Sequence, residues 1–379
     1  MNVTRSVFRE DHEMYRETVR RFLEKECLPR QAAWDAAGQV DRETWLKAGR
    51  EGLLCASLPE EYGGGGGDFG HAAVFAEETA RSGVSGPAFG MHSDIIAPYI
   101  HRAGNEEQKK KWLPGAASGE LILAIAMTEP GTGSDLKAVR TTAVREGDEY
   151  VINGSKTFIS NGLIADLIIV VCKTDPAAGA KGISLIAVEA TRAGFRRGRK
   201  LQKVGQFAQD TAELFFDNVR VPVGNRLGDE GKGFAYLMGE LPQERFSIAV
   251  SAAARLERAL ETTIDYVKDR RVFGQTVWDF QNTKFKLADI KAQAVAVRTM
   301  IDYYLAEHMR RRLTLEEAAI AKLFSTETLG KAIDEMVQLH GGYGYMLEYP
   351  IARDFVDMRV TRIYGGTSEV QRDLISRKL

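Results

Sequence analysis

The chain reads as an α+β protein: a helical amino-terminal domain, a middle antiparallel β-barrel or sandwich, and a carboxy-terminal four-helix bundle. The hydrophobic period is helical, then strand-like, then helical again along 379 residues. That length is enough for two or three cores. Strands and helices that occupy separate stretches argue for segregated layers rather than alternating βαβ units. The expected boundaries are 1–119, 120–228 and 229–379.

Residues 8–118 carry helical spacing. Met14, Val19, Phe22 and Leu23 lie among charges in the first helix, residues 8–26. Residues 105–113 open on Asn105, a helix cap, followed by Glu106 and Glu107. The five glycines at 63–67 read as a flexible loop and not a phosphate cradle, since no Lys-Ser/Thr and no helix start follow. Strands then predominate from 120 to about 224. Residues 121–126 form a short apolar run, and 141–145 with 149–152 flank Gly147-Asp148 as a hairpin. Further strands are expected at 168–171, 183–188 and 212–216. From Phe246 the apolar residues Val250, Ala253, Leu256, Leu260, Ile264 and Val267 return to three- and four-residue steps. Residues 289–308 and 316–339 repeat that pattern.

Composition excludes several classes. Charged residues make up 27% and the formal net charge is −1, so nothing general calls for nucleic acid or a membrane surface as partner. The basic run Arg196-Arg197-Gly198-Arg199-Lys200 reads as a solvated loop. Cys27, Cys55 and Cys172 match no disulfide framework and no metal-ligand spacing, so no metal is expected. No stretch reaches the roughly 18 apolar residues of a membrane span. The amino-terminal residues mix acids with bases and lack the apolar core of a secretory signal. A cytoplasmic location is the expectation.

Five motifs in order carry a resemblance. They are residues 127–135 (MTEPGTGSD), 153–162 (NGSKTFISNG), Arg270-Arg271-Val272-Phe273-Gly274 with Gln281, residues 338–344 (QLHGGYG), and Tyr364-Gly365-Gly366-Thr367-Ser368-Glu369. Together they resemble the flavin-dependent acyl-CoA dehydrogenases over nearly the whole chain. The resemblance implies FAD as cofactor and α,β-desaturation of an acyl-CoA to a trans-2-enoyl-CoA. It implies that Ile125, Met127, Thr128, Gly133 and Ser134 run along the flavin ring, with Thr128 on the polar edge and Gly131 and Gly133 allowing close backbone approach. Phe158, Ile159 and Ser160 would pack beside the ring. Without its motif, Phe158 reads as a buried strand aromatic. Arg270, Phe273, Gln281, Gln338, Leu339, Gly341 and Gly342 would hold the far end of the cofactor in a neighbouring subunit, while Thr367 and Glu369 lie beside it in the first. A homotetramer, a dimer of dimers sharing FAD across an interface, follows from the resemblance. So does an electron-transferring flavoprotein as acceptor.

One departure from the family pattern directs the chemistry. In many members a glutamate between the aromatic residue and Gly-Thr takes the substrate α-proton, and here that position is Gly365. The sequence Glu240-Leu241-Pro242-Gln243-Glu244-Arg245 resembles the long-chain and isovaleryl branches, which carry their base there. Glu244 is therefore the expected base, with Glu240 one turn earlier as its rival. The Gly365 N–H would bind the thioester oxygen. Ser134, Pro242, Gln243, Arg245, Tyr364, Gly365 and Gly366 would contact substrate, Arg245 through the CoA nucleotide. His340 is expected to pack rather than to transfer protons. An oxidase or nitroalkane-type enzyme of the same fold, and a non-catalytic acyl-CoA- or FAD-binding relative, are the alternatives.

Overall fold

A computed structural model describes residues 5–379; the first four residues of the amino-terminal segment lie outside the described residues. Helices come first: α1 (Glu10–Phe22), α2 (Gln31–Ala37), α3 (Arg42–Arg50), α4 (Phe69–Ser82), α5 (Ala97–Ala103) and α6 (Glu106–Ser118). Asn105 accepts from the Gln108 N–H while the Gln108 side chain accepts from the Asn105 N–H, so α6 starts on the expected cap. The glycines at 63–67 are not a free loop. Gly66 and Gly67 donate to Leu58 O and Ala56 O, and a Cβ on Gly64 would come within 2.3 Å of Leu58 O. Only glycine allows the backbone to fold back that closely.

The middle strands are β1 (Leu123–Ala126), β2 (Thr142–Glu146), β3 (Glu149–Ser160), β4 (Leu167–Lys173), β5 (Ile183–Glu189), β6 (Phe195–Lys200), β7 (Thr211–Pro222) and β8 (Arg226–Leu227). Their order is β6-β7-β3-β2-β4-β5-β8, with β1 paired to β4. Pairing is antiparallel except for β1 with β4 and a single β2–β4 bridge, both parallel. The β2–β3 hairpin intervenes between β1 and β4 and supplies the long crossover that a parallel pair needs. The basic run at 196–200 is edge strand β6 rather than a loop. Its charges suit an edge, with Arg196 over the Phe215 ring and Lys200 donating to Ala37 O.

Alternation along β4 gives the sheet two buried faces. Leu167, Ile169 and Val171 pack with Tyr99, Ile100, Trp112 and Leu113 of α5 and α6. Ile168, Val170 and Cys172 meet Tyr150, Ile152, Leu214 and Phe216 of β3 and β7, so the sheet curls over on itself. This explains why 167–172 is an unbroken apolar run instead of an alternating one.

The bundle is α7 (Gly233–Asp269), α8 (Gln281–Met309) and α9 (Leu315–His340), closed by α10 (Pro350–Met358) and α11 (Ser368–Ser376). A short ribbon of β9 (Arg271–Val272) and β10 (Gln275–Thr276) joins α7 to α8. Helix α7 packs on α4, α8 and α9, and its Val250, Leu256 and Leu260 join Ile301, Leu329 and Ile333 in one core.

A buried ion network binds α1, α4, α7 and α8. Arg298 is 4% exposed; its Nε and Nη2 reach the two Glu257 oxygens at 2.7 and 2.9 Å, and Nη1 reaches Glu77 at 2.7 Å. Glu77 also binds Arg5 and Arg16. Arg298→Leu would remove the bidentate partner of buried Glu257 and one of the three arginines that bind buried Glu77. It is expected to lower stability by about 3–5 kcal/mol, measured by denaturant unfolding of the holoprotein.

Candidate functional site

The site is built where α7, α9 and the turn before α11 meet. Pro242 lies inside α7 and cannot donate to the carbonyl one turn earlier. Two residues on, the Glu244 Oε2 is buried and has no hydrogen-bond partner. Burial pushes the Glu244 carboxyl up from its ordinary value, against the pull of Arg245 and Lys322. A buried carboxylate oxygen without a donor is costly in a folded protein and marks a place where something else is to bind.

Gly365 stands beside it. Its φ is +63° and that of Gly366 is +88°, left-handed values that favour glycine. A Cβ built on Gly365 would lie 3.7 Å from Glu244 Oε1 and 2.6 Å from Ile248 Cδ1. The side-chain position at 365 is closed by Ile248 and lies in contact range of the Glu244 carboxylate, although 121 positions separate the two residues in the chain. Among the described residues, the Gly365 N–H donates to nothing.

Three side chains hold this turn from its carbonyl side. Arg245 Nε donates to Gly365 O at 3.1 Å, and Lys322 Nζ donates to Gly366 O at 2.9 Å. Gln371 Nε2 reaches both oxygens, at 3.2 and 2.8 Å. Arg245 is only 4% exposed. Its Nε serves the turn, while its Nη1 is buried without a hydrogen-bond partner. Lys322 and Gln371 had no signal in the sequence. A lysine in a helix normally points to water, yet Lys322 is fully buried between Ala318, Ala321, Ser325 and Thr326.

The remaining α7 candidates are already engaged. Glu240 pairs with Arg102 at 2.7 Å, which separates it from the unpartnered Glu244. Gln243 donates to Asp94 O at 2.6 Å and accepts from Arg102. Tyr364 is 42% exposed at the mouth of the turn, and Thr367 caps α11 by accepting from the Val370 N–H. Glu369 pairs with Arg372 at the surface.

A second group lines the end of the sheet. Lys156 is fully buried and donates to Glu129, Met127 O and Val171 O, while Glu129 accepts from the backbone of Arg140 and Thr141. This ion pair fixes the 127–132 turn, and Thr128 O also accepts from the Thr157 N–H. Ile125, Met127 and Thr128 remain half-buried, and Gly133 and Ser134 are exposed. A Cβ on Gly131 would meet nothing, so open space adjoins the backbone there. Phe158 sits at φ +59° where the β3–β7 register slips between Lys156 and Ile159, and its ring is 67% exposed. The bulge turns an aromatic outward that regular alternation would bury. Ile159 is the reverse: its side chain is inside the sheet, leaving only its backbone for a ligand. Ser160 is half-buried next to it.

A third group lies at the far end of the bundle. Arg270 rests over the Tyr343 ring, and Phe273 is 95% exposed at φ +50°. Gln281 opens α8, and Gln338, Gly341 and Gly342 are exposed at the end of α9 while Leu339 packs partly on the core. His340 stacks on Tyr266 at 4.1 Å and its Nδ1 meets Met336 O, so it is held by packing. Asp11, His12 and His71 also bring ligand atoms together near the starts of α1 and α4. There each imidazole Nδ1 accepts a cap N–H, from Arg9 and Asp68 respectively, so the cluster serves as helix capping. Among the described residues no helix is long and apolar enough to cross a membrane.

The chain matches three family models in succession: the acyl-CoA dehydrogenase N-terminal domain over residues 9–120, the middle domain over 124–219 and the C-terminal domain over 231–379. It is 49% identical to the mitochondrial long-chain specific acyl-CoA dehydrogenase of Sus scrofa, covering 99% of this chain and 88% of that protein. It is 40% identical to an acyl-CoA dehydrogenase of Bacillus subtilis, covering 97% of each. The crystal structure of an acyl-CoA dehydrogenase from Geobacillus kaustophilus superposes with a TM-score of 0.97 at 48% identity, covering 99% of each chain.

Proposed function

The chain belongs to the acyl-CoA dehydrogenase family, and from that premise we propose that Glu244 is the base of its FAD-dependent α,β-desaturation. The observation that carries this is the unpartnered Glu244 carboxylate lying beside the position of a Gly365 side chain. An α-proton of a thioester is weakly acidic. A base for it needs desolvation to raise its affinity for the proton and a donor at the thioester oxygen to hold the developing charge. Glu244 meets the first requirement, and the free Gly365 N–H meets the second. Ser134, Pro242, Tyr364 and Gly366 complete the approach for the substrate, with Gln243 and Arg245 supporting it from behind.

FAD suits the residues present. The outward Phe158 ring, the open space at Gly131 and the half-buried Thr128 form an apolar wall with a polar edge, which a flat isoalloxazine requires. When bound, the flavin supplies the acceptor for the β-hydrogen. Thr128, Phe158 and Ser160 would hold and shield its ring, and Thr367 and Glu369 would lie beside it. Arg270, Phe273, Gln281, Gln338, Gly341 and Gly342 would serve the nucleotide end of a cofactor in a second subunit. The near-total exposure of Phe273 supports that arrangement, and a dimer of dimers is the assembly proposed.

The three-part division at 119/120 and 228/229 is supported by the end of α6 at Ser118 and the start of α7 at Gly233. The 49% identity to a long-chain enzyme favours long straight or branched acyl groups. An electron-transferring flavoprotein is the acceptor proposed.

Glu244→Gln is expected to retain flavin and fold while losing about 10²–10⁴-fold in turnover, measured by anaerobic flavin bleaching with straight and branched acyl-CoA thioesters. Full bleaching in the variant would move the base elsewhere. The raised affinity of Glu244 for its proton sets the pH profile: the base works only when ionised, so kcat/KM falls as pH drops through a value above that of an ordinary glutamate. Phe158→Ala is expected to lose FAD more readily on dilution, followed by fluorescence of the released flavin.

A further inference from the structure

Lys322 is the buried group that the reaction does not obviously need. It is 0% exposed, it makes no carboxylate ion pair among the described residues, and its one hydrogen bond goes to Gly366 O. Burial draws its ammonium down to about 8, and Arg245 adds repulsion, while Glu327, Glu244 and Glu369 oppose this. Glu327 is itself bound to Arg362 and Ser368 and cannot neutralise it closely. A buried, unpaired lysine costs stability, and a simple anchor for a carbonyl could be neutral.

What it holds is the turn carrying the free Gly365 N–H. Arg245, Lys322 and Gln371 together occupy the two successive carbonyls of Gly365 and Gly366. A peptide group is planar, so fixing these oxygens fixes the two planes that follow Gly365; the Gly365 N–H lies in the plane before them and can turn against them only through the φ and ψ of Gly365 itself. Glycine has the least intrinsic preference for one conformation, and two adjacent glycines at positive φ would otherwise sample many. We propose that Lys322 is a positioning residue for the desaturation: its hydrogen bond to Gly366 O sets the turn so that the Gly365 N–H faces the thioester oxygen. This rests on the proposed roles of Gly365 and Glu244.

The test uses holoenzyme with bound trans-enoyl-CoA labelled with carbon-13 at the thioester carbonyl, and reads its infrared stretch. In the wild type the bound carbonyl is expected at lower frequency than in solution, as a polarised carbonyl should be. Lys322→Met is expected to move it back toward the solution value, and to lower kcat by about tenfold to a hundredfold, less than loss of a direct oxyanion donor, with little change in KM. Lys322→Arg keeps the charge and is expected to keep most of the shift. Gln371→Met removes another donor to the same oxygens without touching the buried charge, and should move the band in the same direction if Lys322→Met fails to fold. An unchanged carbonyl frequency in Lys322→Met, or in Gln371→Met where only that variant folds, overturns the proposal. Glu244→Gln separates the two readings: it should retain the carbonyl shift while losing turnover, so a wrong base and a wrong role for Lys322 leave different patterns.

Discussion

A carboxylate that is both dry and unpaired governs the design of this protein. Water would lower the proton affinity of Glu244, and a cation in contact would do the same. The structure avoids both at the carboxylate itself. Its cations, Arg245 and Lys322, are turned onto backbone carbonyls, where they steady the turn beside the base instead of neutralising it. Glu240, one helical turn away, shows the contrasting outcome: Arg102 reaches it at 2.7 Å. Two glutamates on one helix are thereby given different tasks by their partners.

Holding Glu244 in that state requires a rigid surround, and the bundle supplies it. Helix α7 carries Glu244 near its first third and the network residue Glu257 further along. Arg298 ties Glu257 to Glu77, so α7 is fixed against α8 and α4. At the sheet, the Lys156–Glu129 pair performs the same service for the turn that carries Thr128. Both are buried ion pairs with further hydrogen bonds to satisfy them, the condition under which such pairs persist. Neither touches the proposed reacting atoms.

Much of the layout was legible in the chain. Period alone separated helices from strands, because one-sided burial leaves its spacing on the sequence. The Gly147-Asp148 hairpin and the Asn105 cap follow from local backbone preferences. The basic run at 196–200 was misread as a loop, since what decides it is the edge of β7 alongside; the glycine tract at 63–67 is a loop, held by the carbonyls of Ala56 and Leu58 that the sequence does not reveal. The contact of Arg245 with Gly365 O was likewise hidden, as its partner lies 120 residues away.

The sequence by itself determined the α-β-α order, the motifs of a flavin-dependent acyl-CoA dehydrogenase and the absence of a side chain at 365. Those are local or alignable features, carried by residue type and spacing. Only the tertiary structure decided that Glu244 adjoins Gly365, that Glu240 is ion-paired, and that Lys322 is buried behind the turn. Each of these depends on which distant groups share a low-dielectric volume, and electrostatic character there is set by neighbours that sequence order does not reveal.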